Sequence, residues 1–112
     1  MKKYRIDQIN EYMRHEIALF LSKTKNPKYL VTITLVEVSR DLNNANIYVS
    51  AIKLDKTKID EREIIDFLNE YKEEIHKYLL DRLDFKRIPK LHFRLDNTAE
   101  HAMKIDKLID NL

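Results

Sequence analysis

Basic side chains are the residues whose types and spacing best suit a chemical role in this sequence. They concentrate between residues 72 and 87, where the bases are Lys72, His76, Lys77, Arg82, Lys86 and Arg87. Residues 72, 76 and the neighbourhood of 79–83 share one side of a helix, so several cations would form a ridge that neutralises phosphates. The competing interpretation is a solvated helix face, because Glu73, Glu74 and Asp81 interleave with these bases.

Catalytic and metal-binding groups lack the patterns that such sites need. The four histidines lie in four different predicted elements and show no metal-ligand spacing: His15, His76, His92 and His101. Acidic pairs such as Asp60 with Glu61 fall on polar helical faces, where carboxylates are normally solvated. The chain has no glycine, which excludes nucleophile elbows as well as Walker and dinucleotide-binding loops. We therefore predict a non-enzymatic protein with no catalytic residue, metal site or cofactor.

The charges are unevenly distributed along a chain whose net charge is only +2. Residues 1–40 carry eight basic and four acidic side chains and residues 76–94 carry six and two, so each segment is net +4. Residues 41–75 carry five basic and nine acidic side chains and are net −4. The two basic segments would form a polarised surface for an anionic partner if they meet in space. Ordinary solvated charge is the alternative.

Composition indicates an ordinary soluble globular protein. The 112 residues are 44% hydrophobic and 36% charged, which suits a single domain over residues 1–112 with one core. No apolar run is long enough to span a bilayer, and there is no signal-peptide pattern. The chain has no cysteine, which fits a reducing compartment. We expect a cytoplasmic protein without membrane contact.

The elements that must position these residues are organised around a predicted β-hairpin at residues 31–52. Apolar and polar residues alternate on both sides of a polar turn, as in half-buried strands. In the first strand the apolar phase shifts from Ile33 and Leu35 to Val36 and Val38, which predicts a bulge, or burial on both faces, near Val36. In either case we expect this strand to be central. A two-stranded ribbon alone is marginal, so helices must pack on it.

Helical periodicity precedes and follows the hairpin. From Arg5 to about Lys23, apolar residues recur at spacings of three and four and predict the first helix. A second pattern begins at Asp60, where Glu63 completes a capping-box motif, and continues to about Leu83. This second pattern is long for one helix of a small domain, and residues 69–74 are almost wholly polar. A bend or break is therefore expected there.

A third strand and a last helix complete the predicted order. Residues 91–95 alternate as a strand, and Asn97 begins a final helix whose apolar stripe ends at Leu112. The order is α-β-β-α-(α)-β-α, with a break between the two central helices. It predicts a single α+β domain in which helices pack on one face of a three-stranded sheet.

Four segments, taken together in order and spacing, carry a specific family resemblance. They are residues 13–21 (MRHEIALFL), the hairpin sequence at 31–50, the run PKLHF at 89–93 and the run DNT at 96–98. With these segments the chain resembles the bacterial ribosome-binding factor A family over nearly its whole length. The resemblance implies a type II KH-like fold, which agrees with the predicted order of elements.

The resemblance also implies a function and partners. It implies a non-enzymatic factor that binds the immature small (30S) ribosomal subunit and its 16S rRNA during late maturation, including adaptation to cold. An assembly GTPase that promotes release is a further implied partner, and we expect a monomer. The alternative is a KH-like protein-interaction module without RNA contact, which would leave ribosomal fractions empty of this protein in gradient co-sedimentation.

The sequence departs from the family pattern at the expected break. The family has an Ala-x-Gly motif there, whereas the kink region of this chain is Tyr71-Lys72-Glu73. We predict that Tyr71 points into the core and that the kink persists in a shallower form. Two family arginines are replaced by His76 and Lys86, which both retain the capacity for a phosphate contact.

The candidate RNA-binding residues come from the first helix, the hairpin turn, the kink region and the connector that precedes the third strand. They are Arg5, Arg40, Lys72, His76, Lys77, Arg82, Lys86 and Arg87. Contacts of this kind to phosphate determine how tightly a protein binds RNA, and they contribute little to which RNA sequence it prefers. In this hypothesis the hairpin is a scaffold, and most of the functional charge lies on the helices and the connector.

Overall fold

The elements follow one another in the order that the sequence predicts. In this computed structural model, residues 5–24, 28–83 and 87–96 are described. The elements are α1 (Ile6–Lys23), β1 (Tyr29–Val38), β2 (Asn44–Lys53), α2 (Glu61–Glu70), α3 (Lys72–Arg82) and β3 (Lys90–Leu95). The final helix predicted from Asn97 to Leu112 lies outside the described residues.

The sheet has the strand order β1-β2-β3, so β2 is its central strand. The expectation that the first strand is central is wrong. β3 pairs in parallel with β2, from Asn44↔Lys90 to Val49↔Leu95, whereas β1 pairs with β2 alone among the described strands. The long crossover through α2 and α3 permits this parallel pairing. β1 is therefore an edge strand.

The shift of apolar phase in β1 is a β-bulge, as the sequence predicts. The register passes from Ile33↔Val49 to Leu35↔Tyr48, which leaves Thr34 as the extra residue. Because of this extra residue, both Ile33 and Val36 are buried while Thr34 and Leu35 are exposed. The bulge thus lies two residues before Val36.

The helical pattern after the hairpin is interrupted at Tyr71, which confirms the predicted kink. Tyr71 has φ −95° and ψ 0°, and its N–H donates to the Leu68 carbonyl at 3.1 Å, a spacing of three residues instead of four. The half-buried Tyr71 ring packs edge-on against Phe20 and Phe67, with centroids 6.4 and 5.3 Å away. The aromatic side chain therefore packs against the core, as predicted, and one helix ends and the next begins around it.

Asp60 begins α2 as predicted, but the capping box is incomplete. The Asp60 Oδ1 accepts from the Arg62 N–H at 3.0 Å. The predicted second half, a bond from Glu63 back to Asp60, is wrong. The Glu63 carboxylate accepts instead from the Tyr29 hydroxyl and pairs with Lys53 at 2.9 Å. Both carboxylate oxygens of Glu63 are therefore engaged by partners from the strands.

The core lies between the helices and one face of the sheet. Its largest fully buried side chains come from all six described elements: Met13, Ile17, Val36, Ile47, Ile64, Leu68, Ile75, Leu79 and Leu91. Burying such side chains stabilises the fold by about 1.5–3 kcal/mol each, so α1, α2 and α3 are held firmly on this face. We call the opposite face the outer sheet face. Among the described helices, none combines the length and apolar character that crossing a bilayer requires.

Candidate nucleic-acid interface

α3 carries four of the sequence-predicted bases. Lys72 and His76 lie one turn apart and are half-buried, while Lys77 is exposed. The Arg82 guanidinium carbon lies 5.1 Å from the centroid of the Tyr78 ring, a cation–π contact that restrains this side chain at the end of the helix. We call these four bases the helix surface. Their side chains emerge over three turns of a helix that the core holds in place.

The acidic residues of α3 interleave with these bases without pairing with them. In the described part of the chain, the ion pairs Arg14–Glu11 and Lys53–Glu63 both lie outside α3, and no acidic side chain of α3 pairs with a base of α3. Exposed charges at longer separations interact weakly at physiological salt, where the screening length is about 8 Å. The bases of the helix surface therefore keep their charge for an anionic partner.

The kink region and the connector complete the sequence-predicted set. Lys72 follows Tyr71 directly, and Glu73 is exposed on the first turn of α3. The Tyr71 carbonyl accepts from the Ile75 N–H at 2.8 Å, so α3 begins with a regular helical bond. Lys86 lies outside the described residues.

Arg40 and Arg87 lie at one end of the hairpin, which we call the turn end, and α1, which Arg5 precedes, begins on the same side. The Asn10 Oδ1 accepts from the last N–H of β1 at 2.8 Å, which brings the first turns of α1 to the turn end. Arg87 Nη2 donates to the Asn43 Oδ1 at 2.9 Å, which brings the connector to the turn that contains Arg40. The structure thus brings bases from both net-positive segments of the sequence to one end of the molecule.

Hydrogen bonds within the hairpin turn hold Asn43 in place. The Asp41 Oδ1 accepts from the Ser39 hydroxyl at 2.6 Å and from the Asn43 N–H at 3.1 Å, and these bonds hold the pKa of Asp41 below its ordinary value. The Asn43 carbonyl accepts from the Lys90 N–H at 2.9 Å and joins the turn to β3. Leu42 has φ 62°, a left-handed conformation that costs a residue with a Cβ atom about 1–2 kcal/mol. The surrounding bonds hold the turn in spite of this cost.

Three asparagines hold three basic side chains, one at the turn end and two on the outer sheet face. The pairs are Asn43 Oδ1 with Arg87 Nη2 at 2.9 Å, Asn44 Oδ1 with His92 Nε2 at 2.9 Å and Asn46 Oδ1 with Arg94 Nε at 3.1 Å. We call Arg87, His92 and Arg94 the amide-held bases. An amide oxygen accepts hydrogen bonds without carrying a net charge, so it orients a cation and leaves its charge uncancelled.

Sequence reasoning missed Lys90, His92 and Arg94 as functional candidates. They are the polar residues of the alternating pattern that predicts β3. The apolar residues of the same pattern include the buried Leu91 and Phe93. That alternation already indicates that the three bases lie opposite the core. The asparagine partners of His92 and Arg94 are 48 residues earlier in the chain, and no local pattern reveals such a pairing.

The other end of the hairpin, which we call the open end, has a different chemistry. The Glu63 carboxylate accepts from the Tyr29 hydroxyl and pairs with Lys53 Nζ at 2.9 Å. These bonds raise the pKa of Tyr29 to about 12, lower the pKa of Glu63 and raise the pKa of Lys53. Lys53 is therefore neutralised by a carboxylate where the strands meet α2.

Metal-ligating residues are dispersed over the part of the chain that the structure describes. No group of three or more His, Cys, Asp or Glu side chains there has the geometry of a metal site. His15, His76 and His92 occupy α1, α3 and β3, and His101 lies outside the described ranges.

A β-hairpin, a helix pair broken at Tyr71 and a third strand parallel to the second define an α+β protein of the type II KH-like class. The cations of the helix surface and the turn end are compatible with a nucleic-acid-binding member of that class. A sequence model of the family described as Ribosome-binding factor A matches residues 5–109. This protein belongs to the ribosome-binding factor A family.

Individual relatives agree with the family match. Ribosome-binding factor A of Fusobacterium nucleatum is 39% identical over 118 residues, which cover 100% of this chain and 98% of the relative. The crystal structure of ribosome-binding factor A from Thermus thermophilus superposes with a TM-score of 0.69 at 18% identity, over 81% of this chain and 94% of that one.

A second similar structure is a homology model of the Thermus thermophilus factor fitted into a cryo-EM map of a 30S–RbfA complex. Its TM-score is 0.61 at 21% identity, and the match covers 74% of this chain and 86% of that one. At these identities the two structural matches establish a common fold.

Proposed function

We propose that this protein is a non-enzymatic assembly factor that binds the immature small ribosomal subunit and its 16S rRNA and assists late maturation, including during growth in the cold. The observation that carries the proposal is the family match over residues 5–109. A Thermus thermophilus relative of the same fold has been fitted into a map of a 30S complex, which supports the same partner for this chain.

The helix surface and the turn end are the proposed contacts with ribosomal RNA. Each phosphate that a lysine or arginine neutralises releases condensed counterions, so affinity falls steeply as salt rises. The surface comprises Arg5, Arg40, Lys72, His76, Lys77, Arg82, Lys86 and Arg87. The α3 bases without ion-pair partners among the described residues support this assignment.

The proposal includes how the factor is used. It acts as a monomer in the cytoplasm, and it leaves the mature subunit with the help of an assembly GTPase. The bases contact phosphates and carry little sequence information, so recognition of the immature subunit depends on the shape of its RNA.

Gradient co-sedimentation with immature small subunits at two salt concentrations tests the proposal. We expect association at low salt that weakens steeply as salt rises. The variant Lys77→Glu/Arg82→Glu should weaken association at least about tenfold and reduce the slope of log affinity against log salt by roughly 1 for each lost phosphate contact. Both side chains are exposed, so the variant should remain folded.

The matched control is Lys56→Glu/Lys58→Glu, which reverses two exposed charges in the loop between β2 and α2. We expect this control to co-sediment as the wild type does. If Lys77→Glu/Arg82→Glu binds as well as the control, the helix surface is not the contact. If ribosomal fractions contain no protein at low salt, the alternative of a protein-interaction module without RNA contact replaces the proposal.

A further inference from the structure

The outer sheet face is divided into an apolar half and a basic half. At the open end, Leu30 and Ile52 form a cross-strand pair and are 55% and 60% exposed. Towards the turn end, the same face presents Lys90, His92 and Arg94 from β3.

The basic half carries little compensating negative charge. Among the outward positions of the three described strands, Glu37 is the only carboxylate, and it lies at the end of the edge strand β1. The bases Lys90 and Arg94 are exposed on β3, and Arg87 is exposed just before it. The face is therefore complementary to a polyanion.

Three flat side-chain groups stand on neighbouring positions of this face. Tyr48 of β2 is the register partner of Arg94, and His92 precedes Arg94 by two residues on β3. Paired strands are about 4.8 Å apart, and residues two apart on a strand are separated by about 6.6 Å. A phenol ring, a guanidinium plane and an imidazole ring are thus spaced closely enough to meet successive nucleotides of one strand.

The amide bonds hold two of these groups in position before any ligand arrives. Asn44 Oδ1 accepts from His92 Nε2 and Asn46 Oδ1 accepts from Arg94 Nε, at 2.9 and 3.1 Å. Side chains that are already ordered lose less conformational entropy when a ligand binds. The faces of the two planar groups remain available, since the hydrogen bonds lie at their edges.

We propose that the basic half of the outer sheet face binds a short single-stranded RNA segment. Bases of unpaired RNA stack on tyrosine, histidine and arginine planes, and here Tyr48, His92 and Arg94 provide those planes. Lys90 and Arg87 neutralise the adjoining phosphates. In a duplex the base faces are stacked inside the helix, so this surface selects unpaired RNA.

This inference goes beyond the proposed function, which assigns RNA contact to the helix surface and the turn end. The core separates the outer sheet face from α3, so the helix surface and the sheet-face site lie on opposite faces, and Arg87 of the turn end adjoins the sheet-face site. The helix surface contacts phosphates through its charges alone. The outer sheet face adds stacking, which discriminates unpaired from paired RNA.

Fluorescence anisotropy with a labelled ten-nucleotide oligouridylate, and with an RNA duplex of the same length, tests the inference in 0.15 M salt. We expect the single strand to bind more tightly than the duplex. Tyr48→Leu should weaken binding of the single strand at least about fivefold, the lower end of the loss for one stacked base. Tyr48→Phe retains the ring and should bind within about twofold of the wild type.

Lys77→Glu/Arg82→Glu separates this inference from the proposed function. It should weaken binding of the oligonucleotide less than Tyr48→Leu does, while it weakens co-sedimentation with small subunits. Equal binding by Tyr48→Leu and Tyr48→Phe, or preference for the duplex, would overturn the sheet-face site. Loss of oligonucleotide binding in Lys77→Glu/Arg82→Glu alone would also overturn it, because the RNA would then lie on α3.

Amide chemical-shift mapping on the wild-type protein gives an answer that does not depend on how the variants fold. Titration with the same oligouridylate should shift the amide resonances of Tyr48, His92 and Arg94 and leave those of the buried α3 residue Leu79 unchanged. Shifts confined to α3, or none at all, would overturn the inference. The second result would leave the outer sheet face to a protein partner.

Discussion

The two ends of the β1–β2 hairpin hold basic side chains with different hydrogen-bond acceptors. At the turn end, neutral amides hold Arg87, His92 and Arg94. At the open end, the carboxylate of Glu63 holds Lys53. The basic side chain is fixed in both cases, but only a neutral acceptor leaves the charge uncancelled.

The residues around the two ends also differ in polarity. The open end exposes apolar side chains, with Leu30, Ile52 and Leu54 each more than half exposed. The turn end exposes Arg40, Lys90 and other polar residues. One sheet thus acquires two chemically distinct ends through the choice of hydrogen-bond acceptor and outward residue. The difference predicts where stability depends on packing, where RNA affinity depends on charge and where stability depends on pH.

The largest expected effect is on stability, and it comes from comparing two isoleucines that lie on opposite faces of β2. Ile47 is fully buried, whereas Ile52 is 60% exposed near the open end. Ile47→Ala should lower the free energy of unfolding by about 2–5 kcal/mol, because it removes buried surface and leaves a cavity. Ile52→Ala should lower it by less than about 1 kcal/mol. Urea unfolding followed by circular dichroism measures both. A loss at Ile52 as large as at Ile47 would mean that the apolar patch is covered in solution.

The second prediction concerns a variant in which carboxylates replace the neutral amides near the turn end, as at the open end. Asn44→Asp/Asn46→Asp keeps the shape of both side chains and their bonds to His92 and Arg94, but it introduces two negative charges. The affinity for the single-stranded oligonucleotide should fall by more than about tenfold, since the neutralised Arg94 no longer releases counterions and the new carboxylates repel phosphates. Asn69→Asp, on the exposed surface of α2, is the matched control and should bind normally. Unchanged binding by the double variant would remove the distinction between the two ends.

The third and smallest effect is the pH dependence at the open end. The hydrogen bond to Glu63 raises the pKa of Tyr29 from 10.0 to about 12. Between these values the folded protein keeps a proton that the unfolded chain has lost, so the free energy of unfolding falls as pH rises through this window. In Tyr29→Phe the free energy of unfolding should decrease less over this window than in the wild type, as measured by urea unfolding at several pH values from 9.5 to 12.

The raised pKa of Lys53 acts in the same direction, so a residual fall should remain in Tyr29→Phe. Tyr12→Phe, which alters a 46% exposed side chain of α1, is the control for loss of a hydroxyl. If Tyr12→Phe and Tyr29→Phe give the same profile, the Tyr29–Glu63 bond does not shape alkaline stability.

Local sequence patterns predicted the elements of this fold and several of their irregularities. The change of apolar phase after Ile33 predicted the bulge, and the polar stretch around Tyr71 predicted the break between α2 and α3. These features depend on neighbours within a few residues. Side-chain periodicity records such neighbours directly.

Features that depend on distant residues were missed or wrong. The central position of β2 follows from its pairing with β3, which begins 46 residues after the start of β2. Glu63 satisfies the local spacing of a capping box but bonds to Tyr29 and Lys53 instead. The amide-held bases likewise require partners from another strand. Periodicity indicates which face a residue occupies but not which strand lies beside it.

The bulge at Thr34 has a consequence for how molecules of this protein meet one another. β1 is an edge strand among the strands that the structure describes, and an unpaired edge is a template on which a further strand can add. The bulge divides this edge into two short registers, Tyr29 to Ile33 and Leu35 to Val38. A strand from another molecule would have to contain a matching irregularity to pair along the whole edge. One extra residue thus protects the longest exposed backbone of the sheet against fibrous self-association.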